Sequence, residues 1–411
     1  MEQINLFDLI NDGCIKKICN LKRSNTPLET KVELDEFTEM AQANFDYKFD
    51  GVSRFYPFEQ NKIIKELDFQ ILVICGASGS GKSTFSKYFG EQKEIKWDNN
   101  KAIISHFKNP QEATEKLIAC GISSIPVWCK PRNVLSVGEG FRADISRQLE
   151  DNCVIDEFTS NVDRNVALSC ASSIGNYIRK KGLKKCVFVS CHKDFIDTLC
   201  PDYVIDLDDE CLYDTRGLPK RKFEFSLFKG RDKEYVWRIF RQHHYMTQEL
   251  NKASTMYTLY FNKTIVGCCF VLPLPNGYLK NAWRIHRIVI SPDYQGLGIG
   301  TKLLETICDL YKYWGATIYI RTSHIKLRKY FQLHKQQWVE TKRSGVNCAI
   351  DVEQVDKIFG GKMKNNIAYS YKYNGNCKYN NNLNYELINA IQQIKSKKPK
   401  EQEKTLFDYE V

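Results

Sequence analysis

Residues 285–304 read IHRIVISPDYQGLGIGTKLL: an apolar run of strand length, a short turn, and a glycine-rich loop that leads into an amphipathic segment. The run Ile285–Ile290 predicts a buried strand. Over Thr301–Tyr313 apolar residues recur at helical spacing, which predicts a helix with one face in the core. A glycine-rich loop at the start of a helix exposes several backbone N–H groups, so this stretch predicts a binding site for an anion such as a pyrophosphate.

A second glycine-rich loop occupies Gly76–Ser83, which reads GASGSGKS and fits the phosphate-loop pattern G-x-x-x-x-G-K-[ST] in full. It follows the apolar run Ile71–Cys75 and precedes a helix predicted over Thr84–Phe89. Backbone N–H groups in such a loop wrap the phosphates, the lysine neutralises the outer phosphates and the serine binds Mg²⁺. The sequence therefore predicts bound ATP and Mg²⁺, held by Gly76, Ser78, Gly79, Gly81, Lys82, Ser83 and Thr84.

Acidic and imidazole side chains end two further predicted strands of the first half. Val154–Glu157 is an apolar run that ends in two acids, and Asp156 is predicted to bind the metal together with Ser83. Glu157 is predicted to orient the attacking water of ATP hydrolysis. His192 ends another strand, and a histidine at that edge of a parallel sheet faces the ligand crevice. Glu157 and His192 are the catalytic candidates of this half.

The order of these motifs resembles that of the ABC-type ATPases. Leu135–Glu139 reads LSVGE where that family has its L-S-G-G-Q signature, and Ser160–Asp163 stands in the place of its D-loop. The resemblance covers roughly residues 50–210. It implies that two subunits enclose two ATP molecules, so an ATP-dependent homodimer is expected. Three signature residues of one subunit would then contact the ATP of the other: Ser136, Gly138 and Glu139.

Some features depart from that family's pattern. Val137 and Glu139 replace the usual Gly and Gln of the signature, and only His106 and Gln111 offer a weak counterpart of its glutamine loop. The segment between the phosphate loop and the signature is short, whereas transporters use this region to couple to their membrane partners. No integral membrane partner is therefore expected.

The stretch His286–Leu304 closely resembles motif A of the GNAT acyltransferases, whose loop holds the pyrophosphate of acetyl-CoA. A nicotinamide-binding fold would instead need G-x-G-x-x-G and an acid about 20 residues further on, and neither is present. The GNAT resemblance spans residues 222–376. It implies acetyl-CoA as a cofactor, with the backbone of Ile288 and Ile290 pairing with the pantetheine arm. The loop residues implied to bind acetyl-CoA are Gln295, Gly296, Gly298 and Gly300.

Histidines concentrate in the second half of the chain, and neutral imidazole is well matched to taking a proton from an amine at pH 7. His286 lies on the strand where GNAT enzymes keep their base, and Tyr330 lies at a position similar to that of their general acid. With His324 they are the catalytic candidates of this half. Zinc binding is an alternative use of the histidines, although no ligand spacing supports it. The substrate-binding candidates are His243, His244, Tyr245, Arg287 and Arg328.

These motifs predict an α/β protein in which a P-loop ABC-type ATPase domain precedes a GNAT mixed α/β domain. The predicted ranges are 1–215 and 216–376, followed by a basic tail rich in Asn and Lys at 377–411. A fusion in this order resembles a family of such proteins in bacteria and their phages. The acyltransferase half more loosely resembles Mom, a GNAT-like enzyme that modifies adenine in phage DNA.

The composition of the chain indicates which kind of partner it binds and in which compartment we expect it. The chain has 411 residues and a net charge of +11, but residues 216–411 hold 33 Lys and Arg against 16 Asp and Glu, whereas residues 1–215 hold 27 against 33. A transferase half this basic favours nucleic acid as a partner. No apolar run reaches the roughly 18 residues of a membrane span, and the start of the chain lacks the pattern of a secretory signal. None of the 16 cysteines falls in a C-x-x-C pair, and we expect a cytoplasmic protein.

Three functions stay open on the sequence. The first is an ATP-hydrolysing, acetyl-CoA-dependent N-acyltransferase that modifies a base amine of nucleic acid, with the ATPase domain clamping or remodelling the substrate. The second is a protein or small-molecule acetyltransferase with a regulatory ATPase domain. The third is a binding module whose transferase domain is inactive. The uneven charge favours the first.

Overall fold

The computed structural model describes residues 15–45, 47–220, 223–243, 249–275, 281–295, 297–342, 344–347 and 367–375. The chain divides into two compact units, Met1–Lys222 and Phe223–Val411. The N-terminal unit extends beyond residue 215 because Thr215 and Leu218 are buried in it, and because Lys220 Nζ donates to Asn176 Oδ1 over 2.7 Å. The predicted tail at 377–411 lies outside the described residues.

The N-terminal unit contains a six-stranded sheet and a separate two-stranded hairpin. Its strands are β1 (Lys16–Asn20), β2 (Leu28–Lys31), β3 (Val52–Phe55), β4 (Ile71–Cys75), β5 (Val154–Ile155), β6 (Cys186–Ser190), β7 (Tyr203–Asp206) and β8 (Cys211–Asp214). The sheet order is β1-β8-β7-β4-β6-β5, and β4 lies parallel to both β6 and β7. β4 and β6 are buried along their whole length, as expected for central parallel strands.

Helices connect most of the strands of this unit. They are α1 (Glu36–Phe45), α2 (Lys62–Lys65), α3 (Lys82–Ser86), α4 (Pro110–Ala119), α5 (Ile125–Trp128), α6 (Val137–Gln148), α7 (Arg164–Lys181) and α8 (Ile196–Leu199). The longest, α7, begins at Asp163, whose carboxylate accepts from two backbone N–H groups, and ends at Gly182 in the left-handed conformation. These are standard start and stop signals of a helix.

The described residues of the C-terminal unit form one largely antiparallel sheet with three helices. Its strands are β9 (Phe225–Lys229), β10 (Thr255–Phe261), β11 (Thr264–Pro273), β12 (Ala282–Ile290), β13 (Thr317–Thr322), β14 (Trp338–Glu340), β15 (Val346–Asn347) and β16 (Ile367–Tyr373). The helices are α9 (Lys233–Phe240), α10 (Ile299–Tyr313) and α11 (Ile325–Leu333). The sheet order is β14-β16-β13-β12-β11-β10-β9, β15 pairs with β16, and β12 and β13 are parallel.

Two hydrophobic cores lie on opposite faces of this sheet. On one face α10 contributes Leu304 and Ile307 to a cluster that includes Ile285 of β12. On the other face Trp237 of α9 packs edge-on against Phe270 of β11, with ring centroids 5.6 Å apart. The central strands are therefore sandwiched between helices, which fixes β12 and the loop that follows it.

The described residues hold neither a membrane-spanning helix nor a metal-ligand cluster. They contain no helix long and apolar enough to cross a membrane. Their cysteines are free thiols, and most are buried. Within the same ranges no group of three His, Cys, Asp or Glu side chains is placed to hold a metal ion. The two glycine-rich loops, which are the candidate binding sites, follow β4 and β12.

Candidate functional site

The glycine-rich loop of the N-terminal unit joins β4 to α3. Gly79 and Gly81 have φ values of 80° and 95°, the left-handed region that glycine enters without strain, and Gly81 forms the start of α3. A Cβ on Gly81 would collide with the ring of Phe55. Lys82 Nζ donates to the loop carbonyls of Gly76 and Ala77 over 2.9 and 2.6 Å, so its ammonium lies across the loop. Ser78 is exposed and Thr84 is partly exposed.

The metal-ligand candidates meet at the end of this loop. Ser83 Oγ donates to Asp156 Oδ2 over 2.6 Å, although 73 residues separate them in the sequence. A hydroxyl and a carboxylate oxygen are the donor set that Mg²⁺ takes beside phosphates, so these residues fit the ion. Glu157 follows with a φ of 54°, and its N–H donates to Asp156 Oδ1 over 2.8 Å. The left-handed turn thus directs Glu157 away from the strand while Asp156 stays at the loop.

A network of two carboxylates and a lysine, which the sequence did not predict, holds the glycine-rich loop that follows β4. Asp208 Oδ1 accepts from the N–H of Ala77 over 2.8 Å. Lys193 Nζ lies 2.6 Å from the fully buried carboxylate of Asp206 and 3.4 Å from that of Asp208. These two acids raise the pKa of Lys193 despite its burial. The signal available in the sequence was the acidic run that ends strand β7 at the same sheet edge.

The signature candidates lie at the start of α6. Ser136 and Glu139 form a capping box: Ser136 Oγ accepts from Glu139 N, and Ser136 N donates to Glu139 Oε2 over 3.1 Å. A Cβ on Gly138 would lie 3.2 Å from the carbonyl oxygen of Asn161, so the signature packs against the segment after β5. His192 is half-buried, and burial followed by the charge of Arg164 lowers its pKa. His192 is therefore largely neutral at pH 7.

In the C-terminal unit, the stretch of β12 that pairs with β11, Trp283–Ile290, holds one residue more than its partner stretch Gly267–Pro273. Phe270 lies opposite Arg287 and Val271 lies opposite Ile285, which leaves His286 as the extra residue. Such a β-bulge bends the strand and re-aims the side chains beyond it. Nothing in the sequence of β12 alone marks this position.

The bulge changes which face of the sheet each residue meets. Ile285 lies in the core under α10, whereas Arg287, two residues further on, stacks on Trp237 of α9 with its Cζ 4.6 Å from the ring centroid. Val289 follows Arg287 onto the α9 side. Ile288 and Ile290 return to the α10 side. Ile288 and Ile290, the residues predicted to pair with the pantetheine arm, therefore lie on the same face of the sheet as α10 and next to the glycine-rich loop.

β12 and β13 pair only at their first residues. Their register joins Ala282–Ile285 to Thr317–Ile320 and ends there, although β12 continues to Ile290 and β13 to Thr322. No strand that the structure describes pairs with this edge of β12 beyond the bulge. Its backbone N–H and C=O groups are strong hydrogen-bonding groups, and an extended ligand chain could satisfy them.

The loop after β12 is closed by its own polar groups. Gln295 Nε2 donates to the carbonyl oxygen of Ile290 over 2.7 Å. Gly298 starts α10 with a φ of 76°, and a Cβ on Gly300 would lie 3.4 Å from Ile290 Cγ1. α10 has no acid in its first turn and no side-chain cap, so its first N–H groups are suited to an anion. Gly296 lies outside the described residues.

His286 has the features of a proton acceptor. Burial, aided by the charges of Arg287 and Arg284, lowers its pKa from 6.5 to about 4. Its Nε2 is buried and has no hydrogen-bond partner among the residues described. The imidazole is therefore neutral at pH 7, and its Nε2 can accept a proton.

This pKa gives a pH prediction. If His286 is the base, kcat/KM for a neutral acceptor amine should be flat from about pH 5 to 7.5 and should fall only toward pH 4, because protonation removes the accepting lone pair below the shifted pKa. A pH–rate profile of acetyl transfer measures this. An acid limb with its midpoint near 6.5 would show that a solvated imidazole carries the reaction instead.

The other two catalytic candidates already have partners. The hydroxyl of Tyr330 donates to the carboxylate of Glu305 on α10, and burial together with Glu305 raises the pKa of Tyr330. His324 caps the N-terminus of α11, and its Nδ1 accepts from the N–H of Leu327 over 3.3 Å. Tyr330 thus keeps its proton at pH 7, whereas the ring of His324 stabilises a helix start.

The substrate-binding candidates that the structure describes have separate surroundings. Arg287 is 5% exposed and donates to the carbonyl oxygen of Glu249. Arg328 stacks on Tyr369, with its Cζ 3.5 Å from the ring centroid. Burial lowers the pKa of His243. His244 and Tyr245 lie outside the described residues. Arg287 and Arg328 thus act in packing at the places where the structure puts them.

Comparison with known proteins identifies one domain. Residues 218–334 match the acetyltransferase (GNAT) family, so the C-terminal unit contains a GNAT domain. A comparison with curated proteins returns no match.

Solved acetyltransferase structures match 36–37% of the chain. They include a Bacillus subtilis acetyltransferase in complex with CoA, at 18% identity over 37% of this chain and 98% of that one, with a TM-score of 0.29. The ribosomal-protein-S18-alanine N-acetyltransferase from Escherichia coli is 12% identical over 36% and 93%, with a TM-score of 0.28. A GNAT family acetyltransferase from Elizabethkingia anophelis with acetyl-CoA bound is 14% identical over 37% and 99%, with a TM-score of 0.25.

Proposed function

We propose that the C-terminal unit transfers an acetyl group from acetyl-CoA to an amine. The observation that carries this proposal is the unpaired edge of β12 beyond the bulge at His286, which continues through the loop into the uncapped start of α10. An extended thioester arm would find hydrogen-bonding groups along Ile288–Ile290, and its pyrophosphate would find the N–H groups at Gly298–Gly300. The family match at 218–334 supports acetyltransferase activity with acetyl-CoA as donor.

His286 and Tyr330 divide the proton transfers in this proposal. Acetyl-CoA supplies an acyl group activated as a thioester. The amine nitrogen forms a bond to the acyl carbon and loses a proton, which the neutral Nε2 of His286 accepts. The bond from carbon to sulfur breaks and leaves a thiolate, for which the protonated hydroxyl of Tyr330 is the proton source. Glu305 positions that hydroxyl.

Calorimetric titration of acetyl-CoA into the full chain tests the proposal. We expect saturable binding of one acetyl-CoA per chain, followed by release of CoA when an acceptor amine is added. A flat titration would reject the C-terminal unit as a transferase and would favour a binding module with an inactive transferase domain.

We further propose that the N-terminal unit binds ATP and Mg²⁺ and hydrolyses ATP as a homodimer of the ABC type. The contact of 2.6 Å between the Ser83 hydroxyl and the Asp156 carboxylate supports the metal site. Lys82 would neutralise the outer phosphates, and Glu157 would orient a water. Ser136 and Gly138 would complete the site from the partner subunit.

Glu157→Gln separates ATP binding from hydrolysis. We expect ATPase activity to fall by roughly 100-fold or more, because the amide cannot orient the attacking water as a carboxylate does. ATP binding should persist, and sedimentation with ATP and Mg²⁺ should show a stable dimer of the variant. A variant that hydrolyses ATP at the wild-type rate would remove Glu157 from the mechanism.

We propose nucleic acid as the acceptor, with its modified amine on a base. The charge of residues 216–411, 33 Lys and Arg against 16 Asp and Glu, supports a polyanionic partner for the unit that holds the transferase site. Amine acceptors such as lysine side chains are cations, which a basic unit disfavours. If the protein acetylates a protein or a small amine but leaves nucleic acid unmodified, the alternative of a protein or small-molecule acetyltransferase is favoured.

A further inference from the structure

One face of the C-terminal sheet is left partly uncovered. α10 and α11 pack on the same face, through Leu304 and Phe331. α9 covers the opposite face where β10, β11 and the end of β12 present Met256, Cys268, Phe270 and Val289. Further along that second face, none of the helices described within this unit contributes to a core over the first half of β12 or over β13, β16 and β14. We call this region the open sheet face, and its residues are Arg284, Thr317, Tyr319, Arg321, Val339, Ser370 and Lys372.

A single cross-strand row organises this face. Arg284 lies opposite Tyr319, Tyr319 lies opposite Lys372, and Lys372 lies opposite Val339. Neighbouring strands are about 4.8 Å apart, so the row is roughly 14 Å long. Arg321 follows two residues after Tyr319 on β13, roughly 7 Å away on the same face. The sheet thus places one aromatic ring between two cations, with a third cation beside it.

These side chains are accessible and uncompensated. Arg284 and Arg321 are exposed, Tyr319 and Lys372 are partly exposed, and Val339 is 41% exposed. β13 alternates strictly between buried residues on the core face and accessible ones on this face. Among the described residues of the open sheet face there is no acid, and no ion pair involves the three cations. Within the described part of the chain, no counter-charge therefore neutralises these three cations.

We propose that the open sheet face binds a single-stranded segment of nucleic acid. Arg284, Arg321 and Lys372 would contact phosphates, and a base would stack on Tyr319, which is the combination that sequence-tolerant single-strand binding uses. The inference rests on the proposed function for the class of acceptor, and it adds the surface that holds the strand. An acidic peptide would use the cations but would leave the tyrosine ring without a role.

The test is fluorescence anisotropy of a labelled 20-nucleotide single strand titrated with the full-length protein at several salt concentrations. We expect Arg321→Glu/Lys372→Glu to weaken binding at low salt by at least about tenfold and to reduce the slope of log K against log salt by about 1.4, since each single-strand phosphate contact contributes roughly 0.7. Tyr319→Ala should weaken binding roughly tenfold, and Tyr319→Phe should restore it because the ring still stacks.

Lys263→Glu is the matched control for charge. Lys263 is exposed in the turn between β10 and β11. It lies nine residues from Leu272, the partner of Arg284, a distance of roughly 30 Å along the strand. We expect a loss of less than about twofold from this change, and unchanged thermal unfolding in every variant because the altered side chains are not in the core.

The outcomes separate this inference from the proposed function. If the wild type binds the strand and the double variant loses no more than Lys263→Glu, the open sheet face is not the binding surface, whereas the acceptor class stands. If the wild type fails to bind at low salt, the nucleic-acid acceptor is wrong and the inference falls with it. Binding of anionic vesicles that depends on the same residues, with no binding of the oligonucleotide, would assign the face to a membrane surface and overturn the inference.

Discussion

Gly298→Glu should abolish acetyl-CoA binding while ATP hydrolysis continues at the wild-type rate. Gly298 starts α10 in the left-handed conformation, and no atom lies within 4 Å of the position that a Cβ would occupy, so a longer side chain can be accommodated there. A carboxylate at this point would occupy the anion site and repel a pyrophosphate. Like charges about 4 Å apart near a surface repel by a few kcal/mol, so we expect at least roughly 100-fold weaker binding by calorimetry.

Gly298→Gln is the control for this change. Placing a residue other than glycine in the left-handed region costs about 1–2 kcal/mol, and Gln and Glu share this cost. Gln also has nearly the same shape as Glu, but it carries no charge. Its loss of acetyl-CoA binding should be at least tenfold smaller than that of Gly298→Glu. Equal losses would show that the loop conformation, and not an anion site at the helix start, determines binding. Loss of ATPase activity in either variant would contradict two separate sites.

Lys82→Ala should abolish ATP hydrolysis and leave acetyl-CoA binding unchanged. The ammonium of Lys82 lies across the loop on the carbonyls of Gly76 and Ala77, from which it can turn to the outer phosphates. Removing one charged donor from a transferring phosphoryl group costs roughly 100- to 1,000-fold in rate. A steady-state ATPase assay measures this loss.

Lys87→Ala provides the matched control, since Lys87 is an exposed lysine that directly follows α3. We expect its ATPase activity to stay within about twofold of the wild type. If Lys82→Ala hydrolysed ATP as well as Lys87→Ala does, the loop would be a structural turn and the proposal of an ATPase would fall.

The strand and helices that flank the two glycine-rich loops could be predicted from the sequence with errors of only a few residues at their ends. The strand predicted at Ile285–Ile290 extends back to Ala282, because its first residues pair with β13. The helix predicted from Thr301 begins at Ile299, since Gly298 starts it. The helix predicted over Thr84–Phe89 is α3, Lys82–Ser86, because the backbone beyond it tightens into bonds between residues three apart.

Contacts between distant parts of the chain could not be predicted in this way. The bulge at His286 exists only in the register between β12 and β11. Arg287 was predicted to meet substrate, yet the bulge turns it onto Trp237. Asp208 supports the N–H of Ala77 from 131 residues away, and Glu305 holds Tyr330 from 25 residues away. Periodicity identifies elements, whereas these partners depend on tertiary packing.

The most direct test of the central claim is mass spectrometry of nucleosides from single-stranded DNA and RNA incubated with the protein, isotopically labelled acetyl-CoA and Mg²⁺, with and without ATP. We expect label on a base amine with the wild type in the presence of ATP, and none with Gly298→Glu. Label on protein or small amines alone, from a protein that binds acetyl-CoA normally, would contradict it.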